Sequence, residues 1–421
     1  MSHLDPIINA AGPKKLLSID GGGIRGLVAV EFVARIEALL REHFRRPSLV
    51  LSQYFDYIGG TSTGAIVGGL ISLGYSADEI RRFYRTGARR MFTANAFQRI
   101  ARRTKGPISA MAGIIGQLIY RAMYDPVPLE REIKEVIHDP LAEDAPEAAL
   151  TTFGTEKLRT LFLAVTRNAS TDSPWPLSNN PRAKYNVRFG PDGHKQATNL
   201  DIPLWRIIRA STAAPVYFPA ESFLVPGSTE PFTFTDGGLT VYNNPAFQLF
   251  LMATLPEYRL CWPASERDLL LISVGTGQYD GANLNLKPRE MNLLYNAQSV
   301  PAALMLGAAV EQDLLCRIFG RIRPASNLPE IDSEVGALVG NHAPLSNKLF
   351  SYARYNVELS KRGLSDLGIT DIDPKDVQPL DDLTHLDELE RVGRAAAQRD
   401  VSIEDFEGFL EPSLLRPDKS L

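Results

Sequence analysis

Apolar positions along the chain fall into two alternating rhythms. Lys15-Leu16-Leu17-Ser18-Ile19 reads as a short buried strand. Between Leu27 and Phe44, Val30, Val33, Ile36, Leu39 and Leu40 share one face of a helix. Tyr54 to Ile58 reads as a second strand, followed by Gly59-Gly60 and another helical run. A helical segment lies near Leu129 to Ile137, and Leu158 to Val165, Phe232 to Thr235 and Asp268 to Val274 are further strand-like runs. Strands alternating with helices predict an α/β fold with a mostly parallel, helix-covered sheet. Such sheets place ligand sites at the carboxyl ends of their strands, so the residues after each strand carry the chemical information. Residues 168–200, rich in Pro, Asn, Ser, Asp and Gly, predict a long loop. From about residue 340 the character shifts to short helices and acidic residues. This divides the chain into a main domain over 1–340 and a helical, acidic C-terminal extension over 341–421.

The first strand runs into Asp20 and then Gly21-Gly22-Gly23-Ile24-Arg25-Gly26. Gly21, Gly23 and Gly26 satisfy G-x-G-x-x-G, the pattern of a dinucleotide-binding turn in a nucleotide-dependent oxidoreductase. Two features weaken that reading. Asp20 would put a carboxylate beside a pyrophosphate, and Asp56, read as the end of the second strand, lies farther on than the usual ribose-binding acid. The same glycines can instead aim backbone N–H groups at one point beside a helix N-terminus, as an oxyanion hole does. A tight glycine turn without further role is the plainest alternative.

After the second strand comes Gly60-Thr61-Ser62-Thr63-Gly64, the G-x-S-x-G pattern of a nucleophile elbow. An N-cap serine in a glycine-rich loop is the simpler alternative. A serine nucleophile needs a base. Of the six histidines only His342 and His385 lie late enough for a Ser-Asp-His order, and neither follows a clear strand. Asp236 is better placed. It ends the strand Phe232 to Thr235 and precedes Gly237-Gly238, whose lack of side chains leaves its carboxylate unobstructed. Asp236 as a solvated turn residue is the alternative.

Taken together and in this order, Asp20–Gly26, Gly60–Gly64 and Asp236–Gly238 resemble the patatin-like phospholipase family. Arg209–Pro215 with Tyr217-Phe218-Pro219, and Asn243-Asn244-Pro245, also fit, so the resemblance covers about residues 14–280. It implies a three-layer α/β/α patatin-like fold and a Ser–Asp dyad that hydrolyses acyl esters of membrane phospholipids. Carried over by position, Ser62 is the nucleophile and Asp236 its partner. The amides of Gly22, Gly23 and Arg25 would form the oxyanion hole. A narrower likeness lies in the tail. Ser351-Tyr-Ala-Arg-Tyr-Asn-Val357 looks like bacterial patatin-like effectors that are activated by cyclic dinucleotides in anti-phage signalling. That likeness implies a cyclic dinucleotide activator. The alternatives are a constitutive patatin-like acyl hydrolase and a binding module that keeps the fold without the chemistry.

Charge adds a second layer. The net charge of −4 gives no sign of a nucleic-acid polymer as partner. It conceals a bipolar chain. Arg81 to Lys105 holds nine basic and no acidic residues, and Asp371 to Leu421 holds 14 acidic against six basic. The basic amphipathic run suits anionic lipid headgroups, a phosphate ligand or the acidic tail. The apolar run Pro107 to Tyr120 is too short to span a bilayer and suits core or dimer packing, or a lid. Two cysteines, no secretory leader and no long apolar stretch predict a cytoplasmic protein, peripheral to the inner membrane when active. A homo-oligomer is expected. No cofactor and no metal are expected, so activity should be calcium-independent.

Overall fold

A computed structural model describes residues 2–93, 122–141, 149–189, 194, 196–279, 287–291, 293–323, 328, 330–339 and 345–417. The basic run Arg81 to Lys105 is thus described only as far as Thr93, and Pro107 to Tyr120 lies outside the described residues.

The described strands form one sheet: β1 (Lys14–Ile19), β2 (Tyr57–Thr61), β3 (Leu161–Asn168), β4 (Ser173–Ser178), β5 (Glu221–Phe223), β6 (Phe232–Asp236), β7 (Leu269–Val274), β8 (Gly320–Ile322) and β9 (Phe350–Tyr355). The described helices are α1 (Asp5–Asn9), α2 (Gly26–Phe44), α3 (Leu51–Tyr54), α4 (Thr63–Leu73), α5 (Ala77–Met91), α6 (Pro126–Val136), α7 (Leu204–Ser211), α8 (Ala246–Thr254), α9 (Leu293–Phe319), α10 (Lys361–Asp366), α11 (Pro374–Val377) and α12 (Leu386–Asp400). Strands β8, β9, β7, β1, β2 and β3 run parallel in that order. Strands β4, β5 and β6 add an antiparallel flank.

Alternation along the strands sends side chains to opposite faces. Leu17, Ile19, Ile58 and Phe162 join α2, α4, α5, α6, α7 and α12 in one apolar layer. Leu16, Tyr57, Leu161 and Leu163 pack with α1, α8 and Cys316 of α9 in the other. The molecule is therefore a three-layer α/β/α fold with a mixed, mostly parallel sheet.

The register around β3 places the chemistry. Val165 pairs with Thr61 of β2 and Pro176 of β4. The next residue, Thr166, pairs with Asp236 of β6 and Trp175 of β4. Each strand has only two edges, so β4 takes one, and β2 and β6 share the other. Strand β2 runs with β3 and β6 runs against it, so their carboxyl ends meet head to head. Ser62 follows one end and Asp236 closes the other.

Four expectations need correction. The second strand is not Tyr54 to Ile58: Tyr54 ends α3, and β2 contains both Gly59 and Gly60. A Cβ on Gly60 would stand 2.0 Å from the Gly64 carbonyl oxygen, so glycine lets the strand run under the start of α4. Asp56 precedes this strand instead of ending it, and pairs with Lys15 and Arg416. Within 168–200, residues 173–178 form an edge strand on β3 despite two prolines, which edge strands tolerate. The tail is not a purely helical appendage, because β9 lies inside the sheet between β7 and β8. Its pattern is strand-like: Phe350 and Tyr352 face one layer, Ala353 and Tyr355 the other. Helix α12 also lies directly on α2, where a Cβ on Gly393 would be 3.0 Å from the Val28 Cα.

The basic run is largely neutralised as far as it is described. Arg85 pairs with Asp387 and Glu390 of α12 at 2.7 and 2.6 Å, Arg81 with Glu31 of α2, and Arg90 with Glu132 of α6. Of the partners weighed for this segment, the acidic tail is one it meets directly. Among the described residues no helix is long and apolar enough to cross a membrane.

Candidate active site

Ser62 sits between β2 and α4 with φ +55° and ψ −123°, a backbone conformation that costs energy for a residue with a Cβ. Packing enforces it. A Cβ on Gly64 would lie 2.2 Å from the Ile19 carbonyl oxygen, so the elbow can press against β1 only with glycine there. The Ser62 amide donates to Ser211 Oγ at 2.9 Å, and Ser211 Oγ donates to the Val165 carbonyl at 2.6 Å.

The bend aims the Ser62 hydroxyl at Asp236. Ser62 Oγ donates to Asp236 Oδ2 at 2.6 Å. The other carboxylate oxygen, Oδ1, accepts the Gly238 amide at 2.7 Å. Gly237 is needed for this turn, since a Cβ there would be 2.3 Å from the Val165 carbonyl oxygen. Burial pushes the Asp236 carboxyl up to about 6, against the opposing pull of Ser62, the Gly238 amide and Arg209. A hydroxyl held this way can pass its proton to the carboxylate while its oxygen attacks a carbonyl carbon.

The glycine loop faces the same spot. A Cβ on Gly21 would lie 3.3 Å from the Ser62 Cβ, so loop and elbow are in contact. The Gly21 amide donates to the Asn243 carbonyl at 3.0 Å and the Ile24 amide to the Leu380 carbonyl at 2.8 Å. The Arg25 amide closes a tight turn onto the Gly22 carbonyl at 3.2 Å. The amides of Gly22 and Gly23 have no acceptor among the described residues. The loop thus brings two free amides to the site, and engages the third one expected there, that of Arg25. Gly26 opens α2 where a Cβ would be 2.2 Å from Thr63 Oγ1. The Arg25 side chain turns aside, its guanidinium 5.9 Å from the Tyr279 ring centroid.

Asp20 does not face the site. Its carboxylate is buried in a bidentate ion pair with Arg354 of β9, with one contact at 2.9 Å. Arg354 also donates to Ser273 Oγ. Burial opposes both charges, but the Asp20 contact holds the Arg354 guanidinium protonated, above its ordinary range. Asp20 thus ties the glycine loop to the far side of the sheet.

A cavity of about 360 Å³ opens over Ser62 and Asp236. Gly22 and Gly23 line its polar end. Ile66, Tyr84, Met91, Phe92, Leu129 and Phe218 make the rest apolar. The structure brings together Ser62, Asp236 and both glycine turns as the sequence predicts, and Ser211, Asn243 and Arg354 lie in segments that carry the family resemblance, though nothing there points to Arg354 as a support of the loop. Thr276 and Leu380, which also hold the loop, carry no signal in the sequence. Only the glycines themselves hint that something presses on the loop.

A family model described as patatin-like phospholipase matches residues 17–250, more than half of the chain. Patatin group J-1 of Solanum tuberosum is 25% identical over 277 residues, which cover 62% of this chain and 60% of that protein. Calcium-independent phospholipase A2-gamma of Mus musculus is 29% identical over 332 residues, which cover 75% of this chain and 36% of that protein. The chain thus spans less than two thirds of the length of each of these relatives. Among solved structures, human GIVD cytosolic phospholipase A2 aligns with a TM-score of 0.46 at 11% identity, over 97% of this chain and 62% of that one. VipD from Legionella pneumophila aligns with a TM-score of 0.33 at 10% identity, over 92% of this chain and 66% of that one. Scores this low carry no argument. The family match, which spans the glycine loop, the elbow and Asp236, does, and on it the chain belongs to the patatin-like phospholipase family.

Proposed function

We propose that this protein is a serine lipid acyl hydrolase that cleaves phospholipid esters. Ser62 is the nucleophile. Asp236 is the general base that takes its proton and returns it to the leaving alcohol. The Gly22 and Gly23 amides stabilise the oxyanion of the tetrahedral intermediate, with the positive end of α2 behind them. The observation that carries the reading is the 2.6 Å bond from Ser62 to a buried Asp236 beneath a mainly apolar cavity. Family membership supports it. The test is release of fatty acid from mixed phospholipid micelles. The wild type should release it and Ser62→Ala should not; undiminished release by Ser62→Ala would refute the assignment.

Activation by a cyclic nucleotide is a finer reading, and it rests on the likeness of the tail segment Ser351–Val357 and on the basic run Arg81 to Lys105. Hydrolysis assayed across cyclic di- and trinucleotides tests it. Stimulation by one of them would support it, and indifference to all would leave a constitutive hydrolase.

A further inference from the structure

The apolar lining of the cavity does not stop at its mouth. Val216 and Leu239 line the cavity and are also 56% and 37% exposed. Beyond Leu239, Val241 is 46% exposed. Met305 of α9 lines the cavity, and its neighbours Leu304 and Leu306 are 68% and 37% exposed. From Leu293 to Val310 this helix contains no charged residue. Leu304 and Leu306 leave the helix on either side of Met305, so exposed apolar residues flank the cavity lining on both the Val216–Val241 and the α9 sides, the mark of a contact surface.

Val216 supplies an independent sign. It is β-branched, yet its φ is +75°, a conformation such residues almost never adopt. The Met123 amide holds the Val216 carbonyl at 2.7 Å, and Ala122 bridges the same residue. Strain maintained by surrounding bonds, with the side chain left in water, points to a surface whose partner is apolar.

The basic helix α5 is the competing surface. Its arginines at 81, 85 and 90 are already paired with acidic residues, while Arg82, near Glu79, and Arg89 are exposed and form no direct ion pair among the described residues.

We propose that Val216, Leu239, Val241, Leu304 and Leu306 form a rim that seats in the apolar boundary of a lipid surface. An acyl chain then passes from lipid to cavity without crossing water. The contact works by burying apolar area and not by attracting anionic headgroups. It rests on the acyl-hydrolase reading for its purpose, but its test does not depend on catalysis.

The full chain carrying Ser62→Ala is sedimented with phosphatidylcholine vesicles, and separately with vesicles containing phosphatidylglycerol. Binding to both is expected, changing little between about 0.05 and about 0.5 M salt, a range that screens charge contacts. Adding Leu304→Glu and Leu306→Glu should lower binding at least about tenfold, two apolar anchors having been lost. Adding Arg82→Glu and Arg89→Glu instead should change it by less than about twofold. In the Ser62-containing chain, the two leucine changes should leave hydrolysis of a soluble short-chain ester unchanged while vesicle hydrolysis falls. That also shows the variant is folded. Binding confined to anionic vesicles and lost at high salt would overturn the proposal, as would unaltered binding by the leucine variant. So would a dimer that the leucine changes abolish while vesicle binding persists. If Ser62→Ala retained ester hydrolysis, the acyl-hydrolase reading would fail while the vesicle result still stood.

Discussion

Two strand-to-helix turns lie side by side in this molecule, and they are held in different ways. The elbow Gly60–Gly64 is shaped by backbone, its own and that of β1. Its glycines avoid the Gly64 and Ile19 carbonyls, atoms of the elbow and of the adjacent strand. The loop Gly21–Gly26 is held from outside. A Cβ on Gly22 would meet Thr276 Oγ1 at 2.1 Å, one on Gly23 the Leu380 carbonyl oxygen at 2.3 Å, and one on Gly21 Asn243 Oδ1 at 2.4 Å. The elbow must fix one hydroxyl, and close contact with the β1 backbone, with Ser211 on the Ser62 amide, does so. The loop must leave two amides unpaired, so the rest of the chain has to hold it still. Preorganised donors stabilise developing charge only when they need not move to meet it.

The largest expected effect comes from the elbow. Ser62→Ala and Asp236→Asn should each cost several orders of magnitude in kcat on a soluble ester, and the double variant little more than either alone, because the two act as a unit. Additive losses would separate them. In the loop, Gly22→Ala sets a Cβ against Thr276, which displaces the Gly22 amide and should lower kcat by about 10²-fold with KM little changed. A loss confined to KM would move the loop from transition-state stabilisation to binding.

The acid side of the pH profile comes next. Asp236 must be ionised to accept the Ser62 proton, and burial holds its carboxyl at about 6. Raising pH through that value should therefore increase kcat/KM of the free enzyme, with the limb centred near 6. A limb near 3.8, the value of an unshifted aspartate, would mean that Asp236 is solvated. The smallest effect tests the external clamp. Tyr124 donates to Asp381 at 2.6 Å, next to Leu380. Tyr124→Phe should cost about 1 kcal/mol of local order and lower kcat a few-fold. Unfolding midpoints followed by circular dichroism would distinguish that from a global loss of stability.

The same contrast governs what the sequence makes legible. A local device has a local signature. Gly-x-Ser-x-Gly after an apolar run is readable because the turn itself sets the spacing of its glycines, although the Ile19 carbonyl that requires Gly64 lies 45 residues back. The pattern places the second strand too early, at Tyr54 to Ile58, because glycines ordinarily punctuate strands, and here Gly59 and Gly60 are needed inside one. The partnership of Ser62 with Asp236 was readable as chemistry. The reason for their meeting was not, since the antiparallel direction of β6 depends on pairings between segments about 70 residues apart. The support of the loop was hidden for the same reason. Arg354 lies in a stretch read as part of an appendage, and its role depends on a strand slotting between β7 and β8. Charge was legible in amount but not in place: the positive and negative segments could be counted, but only the packing of α5 and α12 shows Arg85 meeting Asp387 and Glu390.

Labelling with a fluorophosphonate probe tests the Ser62–Asp236 pair most directly. Peptide mapping by mass spectrometry should find the phosphonyl group on Ser62. Asp236→Asn should slow labelling strongly at neutral pH, and Ser62→Ala should abolish it. A folded protein left unlabelled, or an adduct at any other residue, would contradict the account.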